Sequence, residues 1–353
     1  MASSKKMKVA IITDQHLGFK KGSKLYHDYF LKFYEEVFFP TLEREGITTI
    51  LDLGDTFDNR KGVDSYSLDW AKKHYFDPLH LRGIRMVSIV GNHTAYYKNT
   101  NEINTNYLLL REYDNITVFS ECTELNVGGL DILFIPWINV ENEVSTYEKI
   151  KKSKCKVAMG HLELNGFTAT HGHIMEHGAD FEIYNKFKQV FSGHYHTRSN
   201  NGTIYYLGNP YEMFWNDVND KRGFHIYDTE TLKLKTINNP FQLYKVINYN
   251  DTPRQLTNFT EYTDKIVKVV VRQKSDEKEY DRFMKALDKA RPVDIKIVER
   301  TDHLVIADEV VDQTEDTMTL LTKYVDDLET DLDRPRIKKV INEVYTEALE
   351  CIL

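Results

Sequence analysis

Cysteine is scarce: the 353 residues hold three, Cys122, Cys155 and Cys351, at unrelated spacings. An odd, scattered set excludes a disulfide framework and supplies no paired thiolates for a zinc knuckle. Long apolar runs are missing too. Nothing approaches the roughly 18 to 20 residues of a membrane span, and the N-terminus has no apolar signal core, so the expectation is a cytoplasmic protein with no membrane partner. Neither a Gly-x-Ser-x-Gly elbow nor a phosphate-cradling Gly-Lys-Ser/Thr loop occurs, which disfavours a serine hydrolase and a nucleoside triphosphatase. There is no internal repeat and no low-complexity tract.

What is present is the balance of a soluble globular chain, 41% hydrophobic and 28% charged, with length for two or three domains. The net charge of -8 would disfavour a polyanionic partner if it were spread evenly. It is not: residues 308–334 carry ten acidic and two basic side chains, which leaves the rest of the chain neutral overall. Basic loops at Lys20, Lys21 and Lys24 and at Arg60 and Lys61 are then either local contacts for phosphate or ordinary solvated faces.

Residues 8–13 are β-branched and too few for a helix, and predict a buried strand ending at Asp14-Gln15-His16. Residues 25–44 carry aromatic and aliphatic side chains at helical spacing and close at Gly46. A second strand, 48–53, ends at Gly54-Asp55, and a helix over 65–81 leads to a third strand ending at Gly91-Asn92-His93. Strand, helix, strand, helix, strand implies an α/β fold with parallel neighbours, and ligands in such sheets sit beyond the carboxyl ends of the strands. A helix is expected over 101–113, strands over 116–119 and 130–136, and a helix over 140–152. Two further apolar runs end at Gly160-His161 and at Gly193-His194-Tyr195-His196, and strands over 203–207 and 223–228 complete a domain spanning 7–241. Residues 242–300 read as a small α+β unit, with strands over 265–272 and 293–298 around a helix over 277–290. An acidic linker, 301–316, precedes a helical pair, 317–353. In that pair Met318, Leu321, Val325, Leu328 and Leu332 alternate spacings of three and four, as in a coiled-coil seam.

Asp14 and His16 are two apart and so share a face of an extended strand end, as do His194 and His196. With Asp55, Asn92 and His161 they make seven nitrogen and oxygen donors on one rim. Imidazole, carboxylate and amide without thiolate suit manganese, iron or zinc in a reactive site. Seven donors exceed the needs of one tetrahedral ion, so two ions sharing a carboxylate is the economical arrangement, and Asp55, central in the order, is the natural bridge. Two ions so placed acidify a water and clamp an in-line displacement at phosphorus, which makes phosphoester hydrolysis the expected chemistry. His93, beside Asn92 but not needed as a ligand, is placed to protonate the leaving oxygen. Each motif alone is weak, since a lone histidine at a strand end is more often packed or solvated. Five strand ends carrying donors together are what give the reading weight. His171, His173 and His177 have no such placement and read as loop.

Taken together, Asp14-x-His16, Gly54-Asp55-x-x-Asp58, Gly91-Asn92-His93, Gly160-His161 and Gly193-His194-x-His196 resemble the five motifs of the calcineurin-like metallophosphoesterases. More narrowly, the chain resembles the nuclease subunits of DNA double-strand-break repair complexes, the SbcD type of bacteria. Gly160 to Phe167 and Ile135-Pro136-Trp137 look most like the recombination endonucleases of T4-like phages. The resemblance implies an αββα sandwich with the 242–300 unit as a DNA-capping domain and the 317–353 pair docked on the coiled coil of an SbcC or Rad-fifty-type ATPase. It implies two metal ions, most often manganese. Asp14, His16, Asp55 and His196 would hold one and Asp55, Asn92, His161 and His194 the other, with His93 catalytic and Asp58 in support. It also implies exonuclease and single-strand endonuclease action on DNA, a homodimer through helices near 65–81 and 101–113, and, for a viral chain, residence in the host cytoplasm. A phosphatase of the same fold acting on another phosphoester, or a weakly active scaffold, is the alternative. Lys20, Lys21, Arg60, Lys61, Tyr96, Tyr97, Lys98 and Arg198 are candidate DNA contacts, the tyrosines by stacking bases or else by packing in the dimer. One position departs: the family commonly has an acidic residue after Gly-Asn-His, where this chain has Thr94. That predicts a less basic His93 and lower activity, unless a carboxylate elsewhere orients the ring.

Overall fold

The computed structural model describes residues 7–170, 173–176, 178–251 and 259–299, with 324, 325, 334, 336–338, 340 and 341. The acidic linker and most of the C-terminal helical pair lie outside the described residues, as do His171 and His177. The chain divides into two compact units, Met1–Thr301 and Asp302–Leu353; the described positions of the second are helical.

In chain order the strands are β1 (Lys8–Ile12), β2 (Thr49–Asp52), β3 (Arg85–Ile89), β4 (Ala95–Tyr97), β5 (Thr100–Asn104), β6 (Ile116–Phe119), β7 (Thr123–Val127), β8 (Leu130–Ile135), β9 (Val157–His161), β10 (Thr168–Thr170), β11 (His173–Ile174), β12 (Gln189–Gly193), β13 (Ser199–Asn200), β14 (Ile204–Tyr206), β15 (Gly223–Asp228), β16 (Lys233–Asn238), β17 (Tyr244–Asn250), β18 (Ile266–Gln273) and β19 (Asp294–Glu299). One sheet has the order β16-β15-β1-β2-β3-β6 and the other β13-β14-β12-β9-β8-β7. In each, four adjacent strands run parallel; β15 and β16 extend the first sheet antiparallel at one edge, and β13 and β7 flank the second antiparallel at both.

Alternation along the strands assigns the layers. Val9, Ile11, Leu51, Val87 and Ile89 of the first sheet meet Ile132, Phe134, Val157, Met159 and Phe191 of the second in a buried core. Ala10, Ile12, Ile50 and Met86 face the other way, onto Phe30, Phe33, Tyr34, Phe38, Tyr75 and Phe76 of the helices. Leu133, Ile135, Ala158 and Val190 do the same on the far side, against Ile150 and Tyr184. The result is the expected αββα sandwich. The chain's first unit also contains a parallel three-stranded sheet, β17-β18-β19. The helix Glu277–Lys289 covers it, started by Asp276, whose carboxylate accepts from the Lys278 and Glu279 amides. Tyr280, Phe283 and Leu287, spaced by three and four, pack on Ile247, Val267 and Val269. Burying each such side chain contributes about 1.5 to 3 kcal/mol. Among the described residues no helix is long and apolar enough to cross a membrane.

Two expectations need correction. The helix over 101–113 is instead a hairpin, β4 with β5, followed by a short helix, Thr105–Leu110. Asn104 sets the boundary, because its side chain accepts from the Tyr107 amide and starts the helix there. The helices over 25–44 and 65–81 form, but each widens to a π turn, at Tyr34–Phe38 and Lys72–Phe76, just before Pro40 and Pro78. Proline gives no N–H to the preceding turn and crowds its carbonyl, and the wider turn makes room for it.

Candidate metal centre

The carboxyl ends of β1, β2 and β3 in one sheet and of β9 and β12 in the other open onto the same rim, above the core the sheets share. Asp14, His16, Asp55 and His194 each have φ between 46° and 86°. Such left-handed backbone is costly for residues other than glycine and persists only where the surroundings enforce it. Here it turns each side chain inward. The neighbouring glycines allow the close approach: a Cβ on Gly91 would lie 2.1 Å from Asp55 Oδ1, and one on Gly193 would lie 2.0 Å from Thr13 Oγ1.

Asp14, His16, Asp55, Asn92, His161 and His194 are buried, while His93 and His196 are half-buried at the mouth. Their donor atoms form three groups, Asp14 with His16 and His196, His16 with Asp55 and His93, and Asp14 with Asp55 and His161, each within 4.8 Å. Asp55 Oδ2 lies 3.2 Å from His161 Nε2 and 3.9 Å from His16 Nε2, and Asp55 Oδ1 accepts the His93 amide at 2.8 Å. Asp14 accepts the His194 amide and the Thr13 hydroxyl.

The hydrogen bonds fix which ring nitrogen is free. His16 Nδ1 faces Asp58 Oδ1 at 3.1 Å, and its Nε2 faces His196 Nε2 at 3.2 Å. Two ring nitrogens bound to one tetrahedral ion at roughly 2.0 to 2.1 Å have a similar separation. His161 Nδ1 donates to the Leu53 carbonyl at 2.8 Å, which turns its Nε2 toward Asn92 Oδ1 at 2.9 Å and Asp55. His194 Nδ1 lies 3.0 Å from the same Asn92 oxygen, and its Nε2 is buried with no hydrogen-bond partner among the described residues. A nitrogen lone pair, an amide oxygen and two carboxylates facing inward around one space suit a cation, so the residues present fit the divalent ions of this chemistry.

Without a cation, burial and charge pull the groups apart. Burial works against the His161 imidazolium, yet the hydrogen-bonded Asp55 carboxylate raises this ring to about 9. Burial also opposes the Asp55 charge, but His161, His93 and His16 hold its carboxyl well below the usual range. Burial raises Asp14 and keeps His194 and His196 neutral, far below the ordinary imidazole value. Neutral imidazoles are the form that binds metal.

His93 Nδ1 lies 2.7 Å from the Asp58 carbonyl oxygen, and its ring stands edge-on to His16 at 4.8 Å. Asp58 therefore holds two histidines, one by its carboxylate and one by its backbone. Thr94 is fully buried and does not orient the ring. Its Oγ1 accepts from the Gly91 amide at 2.9 Å and donates to the Gly91 carbonyl at 3.1 Å, closing the turn that presents Asn92 and His93.

Of the candidate DNA contacts, Lys20, Lys21, Lys61, Tyr96, Tyr97 and Lys98 are exposed. The Lys20 ammonium lies 5.8 Å from the Phe214 ring, which stacks on His196. Arg60 is half-buried, and burial lowers its pKa. Arg198 donates to the Leu207 carbonyl and to Asn238, so its guanidinium serves contacts inside the fold. Sequence reasoning missed three supports. Asp52 lies behind the rim and accepts from Thr56, Gln15 and the Gly54 amide. Arg222 is buried and donates to the His196 carbonyl, Asn209, Asp217 and Asp220. Trp137 packs against His194 at 5.2 Å. No local motif marks the first two; the Ile-Pro-Trp run is the one signal for the third.

Comparison with known proteins follows the same residues. The sequence profile of the calcineurin-like phosphoesterases matches residues 7–198, which include all seven donors and His93. The chain belongs to this family. It is 30% identical over 347 residues to exonuclease subunit 1 of Enterobacteria phage T4, covering 98% of this chain and 100% of that protein. Among solved structures, an archaeal phosphodiesterase is similar at 12% identity and a TM-score of 0.34, over 66% of this chain and 100% of that one. The Pseudomonas putida nuclease MPE is similar at 15% identity and a TM-score of 0.30, over 64% and 87%. Family membership makes the protein a phosphoesterase relative with a place for divalent ions.

Proposed function

We propose that the chain is the metal-dependent nuclease subunit of a DNA-end processing and recombination complex, with exonuclease and single-strand endonuclease activity. The observation that carries this reading is the Asp55 carboxylate, set between His161 and His16 on a rim built from both sheets. A shared carboxylate suits two ions, one held by Asp14, His16, Asp55 and His196 and the other by Asp55, Asn92, His161 and His194. The all-nitrogen-and-oxygen donor set suits manganese. Bound there, such ions supply an acidified water and neutralise charge on the phosphate. The chain's own groups orient and protonate. As the water oxygen bonds to phosphorus in line, the bond to the leaving oxygen breaks, and His93 Nε2–H gives that oxygen its proton. The Asp58 carbonyl, by holding Nδ1, keeps Nε2 pointed at the mouth.

The full-length likeness to a protein called an exonuclease subunit supports DNA as the substrate and a partner subunit, here an SbcC or Rad-fifty-type ATPase engaged through the 317–353 helices. The 242–300 unit is the cap that helps hold DNA, and exposed Lys20, Lys21 and Lys61 contact its phosphates. The test is cleavage of labelled oligonucleotides with manganese, with and without the ATPase. His93→Ala is expected to lower kcat by about 10² to 10⁴, while calorimetric titration still shows two manganese ions bound. Equal inactivity of wild type and variant under both conditions would sink the nuclease reading, and hydrolysis of monoesters without DNA cleavage would favour a phosphatase.

A further inference from the structure

Beside the metal centre lies a half-open cleft of about 270 Å³. It has His161 at one end, a wall of Trp137, Tyr147 and Tyr184, and the carboxylate-bearing Glu143 and Glu163 on its lining. Its volume falls just short of the roughly 300 Å³ at which small-molecule pockets begin, enough for one ring system and too little for two stacked nucleotides. No lysine or arginine is among the described residues lining it, so it does not suit a phosphate. Trp137 is half-buried and leans on His194, which ties the aromatic wall to the metal ligands. The Tyr184 hydroxyl is buried with no hydrogen-bond partner among the described residues, although buried hydroxyls are normally paired. These features describe a slot for a flat, neutral ring that donates hydrogen bonds.

We propose that this cleft takes one unstacked nucleobase of the strand being cut, and favours bases with an exocyclic amino group over thymine. The proposal rests on the DNA reading of the metal centre. Aromatic walls accept any base face, and carboxylates at the edge favour amino donors: cytosine, adenine and guanine each offer an exocyclic NH2, whereas thymine offers only its N3–H, flanked by two carbonyl oxygens that a carboxylate repels. A base seated here would draw its neighbouring phosphate toward His161. The nuclease would then require a locally unstacked strand, which single strands and frayed ends provide.

The test separates base binding from cleavage. The full chain, kept metal-free with chelator, is titrated with deoxycytidine and with thymidine while tryptophan fluorescence is followed, and Trp137→Phe assigns the signal. Deoxycytidine is expected to quench saturably, with a midpoint roughly fivefold or more below that of thymidine. Glu143→Gln and the conservative Tyr184→Phe should narrow that difference toward parity. With manganese, an oligonucleotide carrying one abasic position should be cut several-fold more slowly at a phosphate flanking that position than at the same phosphate in the intact strand. Equal or absent responses to the two nucleosides, together with undiminished cutting beside the abasic position, overturn the proposal and leave the nuclease reading standing. Selective nucleoside binding with no cleavage of any DNA keeps the base cleft and removes the nuclease reading instead.

Discussion

At the scale of single residues, Thr94 is where sequence expectation and structure part most clearly. Its hydroxyl pairs with both polar groups of Gly91 in a fully buried turn, and His93 takes its orientation from the Asp58 carbonyl. The absent carboxylate therefore leaves no vacancy beside the ring. Thr94→Val should leave the buried Gly91 amide unpaired and cost about 1 to 3 kcal/mol, read as a lower denaturation midpoint. Thr94→Asp should destabilise the fold without raising kcat. A faster enzyme with unchanged stability would show that His93 is held by something other than Asp58. Asp52 makes the prediction in pH. Burial lifts its carboxyl to about 7 despite the Thr56 and Gly54 hydrogen bonds. An acid raised in the folded state keeps its proton there while the unfolded chain has lost it, so stability falls as pH rises from about 4 to 7 and then levels. Asp52→Asn, which cannot ionise and keeps one oxygen to accept from Thr56 and Gln15, should lack this decline. Chemical denaturation at several pH values checks it, and parallel slopes for the two proteins would refute the assignment.

At the scale of elements, what could be read from the chain was what is local. A short, largely apolar run ending in a polar donor specifies a buried strand that delivers a side chain at its carboxyl end; β1, β2, β3, β9 and β12 all follow that rule, and in all but β1 a glycine precedes the donor. The edge strand β16 escaped notice because its exposed, alternating Lys233 to Asn238 has no apolar run, and β17 because its residues are only half apolar. The β4–β5 hairpin was hidden for a different reason: Asn101 lies where helical periodicity continues, yet its amide is tied to the Ser120 and Trp137 carbonyls far along the chain. Asp52 and Arg222 were illegible for the same reason, since their partners meet only in the folded chain. The correction has a consequence for assembly. The hairpin and the helix after it display Tyr96, Tyr97, Ile103, Tyr107 and Leu108, each 38 to 50% exposed. Such a patch suits the homodimer that the family resemblance implies. Leu108→Asp combined with Tyr107→Asp should shift sedimentation from dimer to monomer with little change in melting temperature, because neither side chain is in the core. A wild-type chain that sediments as a monomer at all concentrations would remove the dimer.

At the scale of the whole molecule, the proposed metal centre would also be a clasp between the two sheets. Asp14, His16, Asp55 and Asn92 come from the first sheet, and His161, His194 and His196 from the second. Below them the sheets meet through an apolar core that includes Leu51, Val87, Phe134 and Met159. Without ions the rim gathers two buried carboxylates and several imidazoles whose charges oppose burial, and His161 near 9 serves as a partial counter-charge. Ions that bind the folded rim and not the unfolded chain stabilise the fold by mass action, about 2.7 kcal/mol at a hundredfold excess over the dissociation constant. For a chain of this size that corresponds to a rise of roughly 3 to 5 °C in melting temperature. Manganese should produce this rise in the wild type and a much smaller one in Asp55→Asn, which loses the carboxylate proposed to be shared by both ion positions. His194→Ala, which removes a proposed ligand of one position only, should fall between them. Calorimetric scans with and without manganese measure all three, and a melting temperature indifferent to manganese in the wild type would show that the rim does not join the sheets through bound ions.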